Sequence, residues 1–457
     1  MSLALALVGG VALIVAAVVA TLIYARPQRG LLFLAALTPL HGVLAIVPGG
    51  ASLTIWKEAL IALTLACAFL RRPRSADPRG ARRIPVHMPW WPALAILAVL
   101  GSVSALVSFG VLGLVAIKVT FFYLVVVGVL WLAPFDARDR DHLVTVIMAM
   151  GAFAALAGLA QQVIGPAYLV ELGYQYGQQV RAAGGFFRTF GTFNQPFAFG
   201  LYVMLSLLVG GAVALAEPRR VRNTVFLCLT PIMAFAMTTS IVRASILGLA
   251  VGLVWLAVLR FRVLLVVLGG TAVLAAMALP FVPVGVTRAL FSSSSLGERG
   301  EGWNDILTSI AVHPLGRGLG ASGSAADRML LADGAEMTNT SPNYQPDNYY
   351  VKMLLELGPI GLWLVLALLI TALVWTTRLG RELPGRDGAF ALGVSASVVA
   401  AMTASVVATY FEIFPLDLYF WLLLGVVGCA AAQHRSDSEP LPSAPGEAES
   451  RPMPVSC

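Results

Sequence analysis

Long apolar stretches divide this chain of 457 residues, and each approaches the roughly 20 residues that an α-helix needs to cross a membrane. The chain is 58% apolar and only 12% charged, and its mean hydropathy of +0.85 lies well outside the range of soluble proteins. We therefore predict an all-α polytopic membrane protein with about 12–13 transmembrane helices. The candidate spans are 3–24, 31–47, 52–70, 90–108, 111–132, 142–164, 195–216, 224–241, 244–259, 263–284, 349–376, 389–409 and 414–432.

Two of these spans are irregular and leave the exact number of crossings open. The span at 31–47 is short and contains Pro39, and the span at 414–432 begins with a polar segment that contains a proline. Either could be re-entrant, and then the chain crosses the membrane twelve rather than thirteen times. The spans make residues 1–432 one transmembrane bundle, and residues 433–457, rich in Ser, Pro and Glu, are predicted to be a disordered cytoplasmic tail.

Arginines are distributed unevenly between the two sides of the predicted bundle. Alternate loops and the tail carry 20 of the 27 arginines, so the positive-inside rule makes that side cytoplasmic. The other seven lie on the outer side, where topology gives no reason for them. Because a guanidinium binds phosphate oxygens bidentately and keeps its charge, an anionic ligand is the favoured explanation. The seven are Arg181, Arg188, Arg243, Arg288, Arg299, Arg317 and Arg328.

Two long loops interrupt the compact pattern, and both are predicted to lie on the outer side. The loop at 165–193 is aromatic, glycine-rich and basic, and the loop at 285–347 includes a segment at 302–312 that is compatible with a helix. Long loops between packed helices are uncommon unless they carry function. We therefore expect the functional site at the outer face.

Arg243 is the most informative single residue, because it lies between two apolar runs with almost no loop. An ionisable residue at such a depth usually marks a substrate site or has a charged partner. A topology anchor is the alternative, although an anchor suits the inner side better. Arg299 is flanked by the acidic residues Glu298, Glu301 and Asp305, so it is either a second phosphate ligand or part of a surface ion-pair network.

Arg181 and Arg188 flank the sequence AAGGFF, and Asn194 stands where the next span begins. Glycines allow a close approach of the backbone to a ligand, and the N–H groups at a helix start favour anions. The phenylalanines of this segment either stack on sugar rings or seat the loop on lipid.

Lys57, Lys118 and Lys352 are the only lysines, and each falls near the outer end of its span. Three charges at one depth predict a polar chamber that opens outward. Snorkelling to the interface, or ion pairs with Glu58 and Glu356, are the alternatives.

Asp347 and Asn348 precede the span that follows the second loop. Asp347 is either the cap of that helix or a general base at the membrane surface. The chain contains no His-Glu-x-x-His, Asp-x-Asp, nucleophile-elbow or Walker glycine motif in a position to act, so we predict neither a metal nor a cofactor. The net charge of +7 lies in short loops that face lipid headgroups, which argues against a nucleic-acid partner and for membrane lipids.

Four short motifs together resemble the O-antigen ligase/polymerase family of bacterial membrane glycosyltransferases, and they cover roughly residues 180–365. Each motif alone is weak, but their order and their positions relative to the spans agree with the family. The motifs are RTFGTFNQPFAFGLYV (188–203), SIVRASILGL (240–249), ERGEGWNDI followed by HPLGRGLG (298–320), and DNYYVKMLLELGPIGL (347–362).

The resemblance implies a GT-C-like fold in the bacterial inner membrane and a periplasmic active site without a metal. The implied substrate is an oligosaccharide linked to undecaprenyl diphosphate, with inversion at the anomeric carbon. Arg243 and Arg299 match family arginines that hold the diphosphate, and Arg188 lies in the loop motif of the polymerase branch. A chain-length regulator and a flippase of the same pathway are the implied partners.

The ligase branch of the family has His-Asn where this chain has Asp347-Asn348, and this departure favours the polymerase branch, which includes exopolysaccharide polymerases. A ligase that transfers the glycan to another acceptor is the nearest alternative. A non-catalytic subunit of polysaccharide export or a transporter is the alternative of another class. A transporter would need polar groups across the whole depth of the bundle, whereas these cluster at one face.

Overall fold

The computed structural model describes residues 15–47, 49–71, 86–281, 285, 308–332 and 347–438. The described chain is almost entirely helical, as predicted, apart from one two-stranded hairpin. Its helices and strands are α1 Val15–Ala25, α2 Gln28–Leu37, α3 Gly50–Leu53, α4 Trp56–Leu70, α5 Trp91–Phe109, α6 Gly113–Phe121, α7 Val125–Leu132, α8 Ala137–Ile164, α9 Pro166–Glu171, β1 Arg181–Ala183, β2 Phe186–Arg188, α10 Pro196–Ala216, α11 Val221–Thr238, α12 Arg243–Leu259, α13 Val263–Ala278, α14 Gly323–Ala332, α15 Tyr349–Glu382, α16 Gly385–Ala404 and α17 Leu416–Ser438.

Eight helical runs of the described residues are long and apolar enough to cross a membrane, which confirms the polytopic membrane fold. The number is below the twelve or thirteen spans predicted, for reasons that are visible in the chain. Helices α1 and α12 and the apolar part of α13 are shorter apolar helices at three of the predicted positions. The predicted spans at 90–108 and 111–132 merge into one helical run, and α4 has only 15 residues.

The merged run nevertheless contains a reversal of the chain. Gly110 adopts a φ of 57°, which ends α5, and Gly113 then lies so close to Ala105 that a Cβ would meet its carbonyl oxygen at 2.4 Å. Phe121, at the end of α6, packs against Gly101. Helices α5 and α6 therefore form an antiparallel hairpin, and a left-handed glycine makes the tight turn possible.

Helices α10, α16 and α17 form the centre of the bundle, because 89%, 78% and 83% of their apolar spans are buried. By contrast, only 28% of the run at 91–132 is buried. Small residues allow the close approach of the central helices: Gly252 of α12 lies against Leu208 and a carbonyl of α16, and Gly393 lies against Val209. Such contacts are typical of helix packing within membranes.

Loops that the arginine pattern assigns to the inner side meet at one end of the bundle. Asp141 accepts from Arg220, Arg222 and Arg386 at 2.7–3.0 Å, which joins three predicted inner segments. Arg140 pairs in the same region with Asp387 at 2.6 Å. These four arginines form ion pairs that link the ends of α8, α11 and α16.

The predicted outer loops carry structure of their own. The loop at 165–193 contains α9 and the β1–β2 hairpin, and residues 308–312 are helical within the second loop, as expected for part of 302–312. Helix α17 continues to Ser438, so the first residues of the predicted tail extend the last helix; residues 439–457 lie outside the described ranges.

Candidate active site

A short β-hairpin in the first outer loop places two arginines side by side. Arg181 and Arg188 are directly opposed in the antiparallel register of β1 and β2. Gly184 and Gly185 form the turn with φ angles of 58° and 83°, a left-handed pair that favours glycine in two-residue hairpins. These glycines therefore serve the turn, whereas the sequence had suggested that they bring the backbone close to a ligand.

Opposed arginines repel one another, so their pairing carries a cost in the absence of an anion. Burial and, to a smaller extent, the charge of Arg181 lower the pKa of Arg188 to about 10. Arg188 also lies over the ring of Phe197, with its guanidinium carbon 5.1 Å from the ring centre. Two like charges in this arrangement create a local positive potential suited to an anionic ligand.

The hairpin docks on the turn between α11 and α12 and so approaches Arg243. Arg188 Nε donates to the carbonyl of Ser240 at 2.9 Å, and Thr189 N–H donates to the carbonyl of Thr239 at 3.2 Å. Arg243 is the exposed first residue of α12, three residues after Ser240. The N-terminus of a helix carries a partial positive charge. The start of α12 and the guanidinium groups of Arg188 and Arg243 are therefore all positively charged.

Gln161, at the end of α8, fixes the loop that follows the hairpin, a role that was not predicted from the sequence. Its amide nitrogen donates to the carbonyl of Gly191 at 2.7 Å, and its oxygen accepts from the N–H groups of Phe190 and Gly191 at 3.2 and 2.9 Å. Gln161 is buried, so these bonds satisfy backbone groups that water does not reach. A glutamine at the end of an apolar helix was the only signal available.

Asn194 lies exposed beside the break in the second helical span. Thr192 donates its hydroxyl to the carbonyl of Pro39 at 2.7 Å, and Gly42 N–H donates to the carbonyl of Thr192 at 3.0 Å. Pro39 lies in the first turn of a 3₁₀ helix, Thr38–Ile46, so this irregular part of the second span supports the 192–194 segment.

The prediction of one outward chamber with three lysines is wrong for Lys352 in this structure. Lys352 is fully buried and its ammonium lies between Glu356 and Glu412, 2.9 Å from Glu412 Oε1. The ion-pair alternative therefore holds for Lys352, and direct contact with a substrate does not fit its burial. Glu356 Oε1 also accepts from the N–H and the hydroxyl of Ser322, each at 3.0 Å.

Glu412 belongs to a 3₁₀ turn, Tyr410–Glu412, between the last two helices, and the sequence analysis did not identify it. Burial raises the pKa of the Glu412 carboxyl, Lys352 lowers it, and Glu356 raises it again. The hydroxyl of Ser324 donates to Glu412 at 3.3 Å. The network joins α14, α15 and this 3₁₀ turn.

The motifs HPLGRGLG and ELGPIG belong together in space. Helix α15 breaks at Gly358, with a φ of 65°, and Pro359 removes the N–H that would bond the carbonyl of Leu355. Arg317 N–H donates instead to that carbonyl, and Gly318 N–H donates to the carbonyl of Glu356, both at 2.9 Å. The second loop is thereby fixed to α15 directly above the buried charges.

Lys57 and Lys118 are less deeply buried than Lys352. Lys118 pairs with Glu58 at 3.2 Å and is 55% exposed, and Lys57 Nζ lies 4.0 Å from the centre of the Phe414 ring. Lys57 also interacts electrostatically with Asp417, a buried residue at the start of α17 that the sequence analysis missed. An acidic residue just inside an apolar span was the overlooked signal.

The cap of α15 is Asn348 and not Asp347. Asn348 Oδ1 accepts from the N–H groups of Tyr350 and Val351 at 2.9 and 3.2 Å. The capping interpretation of Asp347 is therefore wrong, and the amide oxygen of Asn348 is committed to the backbone. Asp347 is exposed at the same helix end.

Arg299 and Arg288 lie outside the described residues, as do Glu298, Glu301 and Asp305. Among the described residues, no group of three or more His, Cys, Asp or Glu side chains is arranged to hold a metal ion.

The family model described as O-antigen ligase matches residues 228–366. The match includes Arg243, the 313–320 segment and Asp347, and it confirms over this region the resemblance seen in the motifs. It supports membrane glycosyl transfer of the O-antigen ligase or polymerase type. None of the curated proteins compared with the chain matches it.

Proposed function

We propose that this protein polymerises oligosaccharide repeat units linked to undecaprenyl diphosphate, at the periplasmic face of the bacterial inner membrane. The observation that carries the proposal is the convergence of Arg181, Arg188 and the Arg243 helix end, inside or beside the region that matches the O-antigen ligase family. Clustered guanidinium groups at a helix N-terminus suit a diphosphate.

The proposed reaction is an inverting glycosyl transfer. A hydroxyl oxygen of the acceptor sugar attacks the anomeric carbon of the donor, and the bond from that carbon to the diphosphate oxygen breaks. The electron pair leaves with undecaprenyl diphosphate, whose developing charge the arginines stabilise, Arg299 included. Asp347 is the proposed acceptor of the hydroxyl proton, since it is an exposed carboxylate at the outer end of α15.

Other residues have binding roles in this proposal. Asn194, just before α10, and Asn348, the cap of α15, are proposed to bind sugar hydroxyl groups, and Lys57 and Lys118 to contribute positive charge. Lys352 acts indirectly, because it is buried in the network that supports the Asn348 end of α15. Membrane lipids surround the bundle, and a flippase and a chain-length regulator are the proposed partners in the pathway.

The periplasmic orientation rests on the arginine distribution. Cysteines engineered at positions 175 and 325 should react with a membrane-impermeant reagent applied to intact cells, whereas cysteines at 78 and 384 should not. Labelling at 78 in intact cells would overturn the orientation and, with it, the periplasmic site.

The lipid-linked species that accumulate in a deletion strain distinguish the polymerase from its nearest alternative. A polymerase leaves single repeat units on undecaprenyl diphosphate, and plasmid-borne wild-type protein restores the polymer. Accumulation of full-length polymer that is not transferred would identify a ligase instead. Unchanged lipid-linked species would favour a non-catalytic export subunit.

A further inference from the structure

Four aromatic rings form a platform beside Lys57, where the second helical span, α4 and α17 meet. The rings of His41 and Tyr123 lie 5.1 and 5.6 Å from the ring of Phe414, measured between centroids. Trp56 Nε1 donates to His41 Nδ1 at 3.3 Å, so a neutral His41 carries its proton on Nε2 and keeps a donor. The platform therefore combines aromatic surface with polar edges.

Lys57 and Asp417 supply opposite charges at this platform without forming an ion pair. Among the described residues, Lys118 and Lys352 form ion pairs and Lys57 does not. The Lys57 ammonium lies over the Phe414 ring instead. Asp417 is only 7% exposed, and its Oδ1 accepts from the N–H of Leu418 at 2.7 Å. The two groups interact electrostatically across a separation that exceeds direct contact.

A buried carboxylate distinguishes this place from the arginine cluster. The arginine cluster offers only donors and positive charge, which suits phosphate oxygens. Here an acceptor, Asp417, and a positive donor, Lys57, face one region, and Arg328 interacts electrostatically with both. A hydroxyl group donates and accepts at once, and a sugar ring presents both hydroxyl groups and a flat C–H face for aromatic rings.

The platform adjoins the proposed donor site through one short helix. The 3₁₀ helix Thr38–Ile46 carries His41, and its neighbour Gly42 donates to the carbonyl of Thr192 in the loop that follows Arg188. A Cβ on Gly42 would meet the backbone of Phe193 at 2.0 Å, which shows how closely the two segments pack. The helix that carries His41 therefore packs directly on the segment that follows Arg188.

We infer that Lys57, Asp417 and the rings of Phe414, His41 and Trp56 form a sugar subsite that binds an uncharged hexose-like ring through its hydroxyl groups. This inference rests on the proposed function, in which the subsite holds the acceptor sugar while the arginines hold the donor diphosphate.

The test measures binding of two probes to the full-length protein in lipid nanodiscs by titration calorimetry. One probe is an uncharged oligosaccharide released by mild acid from the polymer of the host, and the other is inorganic pyrophosphate. Asp417→Asn and Lys57→Met each remove one charged hydrogen-bonding group and should weaken oligosaccharide binding about ten-fold or more. Phe414→Leu removes the ring at nearly constant bulk and should also weaken it, while pyrophosphate binding stays at the wild-type value.

Phe153→Leu is the matched control, because Phe153 is an exposed ring on the outside of α8, and it should bind both probes as the wild type does. Wild-type oligosaccharide binding in Asp417→Asn and Phe414→Leu would overturn the subsite. An equal loss of oligosaccharide binding and pyrophosphate binding in these two near-isosteric variants would overturn it as well. The subsite would then not be separate from the phosphate site. Failure of the proposed function has a different signature, namely pyrophosphate binding that survives in Arg243→Ala.

Discussion

Gln161 binds both backbone polar groups of Gly191: its amide nitrogen donates to the carbonyl at 2.7 Å, and its amide oxygen accepts from the N–H at 2.9 Å. One side chain at the end of α8 thereby fixes the loop that carries Arg188 and Thr192. The position of Arg188 therefore depends on a side chain that bonds Phe190 and Gly191, the second and third residues after it.

We expect Gln161→Leu to reduce glycosyl transfer at least ten-fold and the free energy of unfolding by about 1–3 kcal/mol, because buried backbone groups lose their partners. Denaturant unfolding and a transfer assay on the same preparation measure both effects. The matched variant Gln162→Leu loses a bond to the carbonyl of Phe187 at an exposed position, where water replaces it, so its effect should be much smaller. Equal effects of the two variants would contradict the clamp.

Asp347→Asn separates chemistry from helix capping more cleanly than the sequence alone could show. Since Asn348 is the cap, the change leaves the start of α15 intact. Loss of a general base typically lowers turnover about 10²–10⁴-fold, while binding of the lipid-linked donor should persist because the arginines hold its diphosphate. Asn348→Ala, by comparison, should cost about 1 kcal/mol of stability through loss of the cap.

Near-normal turnover in Asp347→Asn would exclude Asp347 as the base. The proton acceptor would then lie among Glu301, Asp305 and Glu336, outside the described residues, or the hydroxyl would attack a nearly dissociated sugar cation without a base.

Glu412 gives the stability of the bundle a pH dependence of defined sign. Burial raises its pKa above the ordinary value of 4.5, so the folded protein binds its proton more tightly than the unfolded chain does. The stabilisation is complete below that ordinary value and is lost as the pH rises through the raised pKa. Thermal unfolding measured from acidic to alkaline pH should show this decline in the wild type.

Glu412→Gln should remove the part of the decline in thermal stability that Glu412 causes as the pH rises. Glu171→Gln, at the exposed end of α9, should leave that decline in place. A decline that persists unchanged in Glu412→Gln would assign it to another group. Lys352→Met complements this test, because it leaves Glu356 and Glu412 buried without their cation and should cost about 3–5 kcal/mol.

The fold could be predicted further than the site, because apolar length and arginine bias act over whole helices. The inner arginines indeed meet around Asp141, as loops on one side of a membrane must. The break at Gly358 and the reversal at Gly110 were harder to predict, since each depends on one glycine with a positive φ. At Gly358 the freed carbonyls also need the N–H groups of Arg317 and Gly318, which are distant in sequence.

The site was only partly predictable for a related reason. Arg188 and Arg243 lie in predicted outer segments, where the positive-inside rule gives no reason for an arginine. The distribution of arginines along the chain therefore identifies them. Gln161 and Asp417 act through contacts with residues far away in the chain, and a single sequence does not contain those contacts. Lys352 was misinterpreted because it lies as near the end of its predicted span as the other two lysines do. Its partner Glu412 is 60 positions further along the chain, so the ion pair was not visible in the sequence.

The most direct test of the central claim is a transfer assay with purified protein in nanodiscs, supplied with repeat units on undecaprenyl diphosphate and no other enzyme. The wild type should release undecaprenyl diphosphate and form lipid-linked products of two or more repeats, without added metal. Arg243→Ala should abolish both products while the protein remains folded, and Arg243→Lys should restore little, because an ammonium does not reproduce the planar guanidinium fork. Chain extension by Arg243→Ala at the wild-type rate would contradict the account.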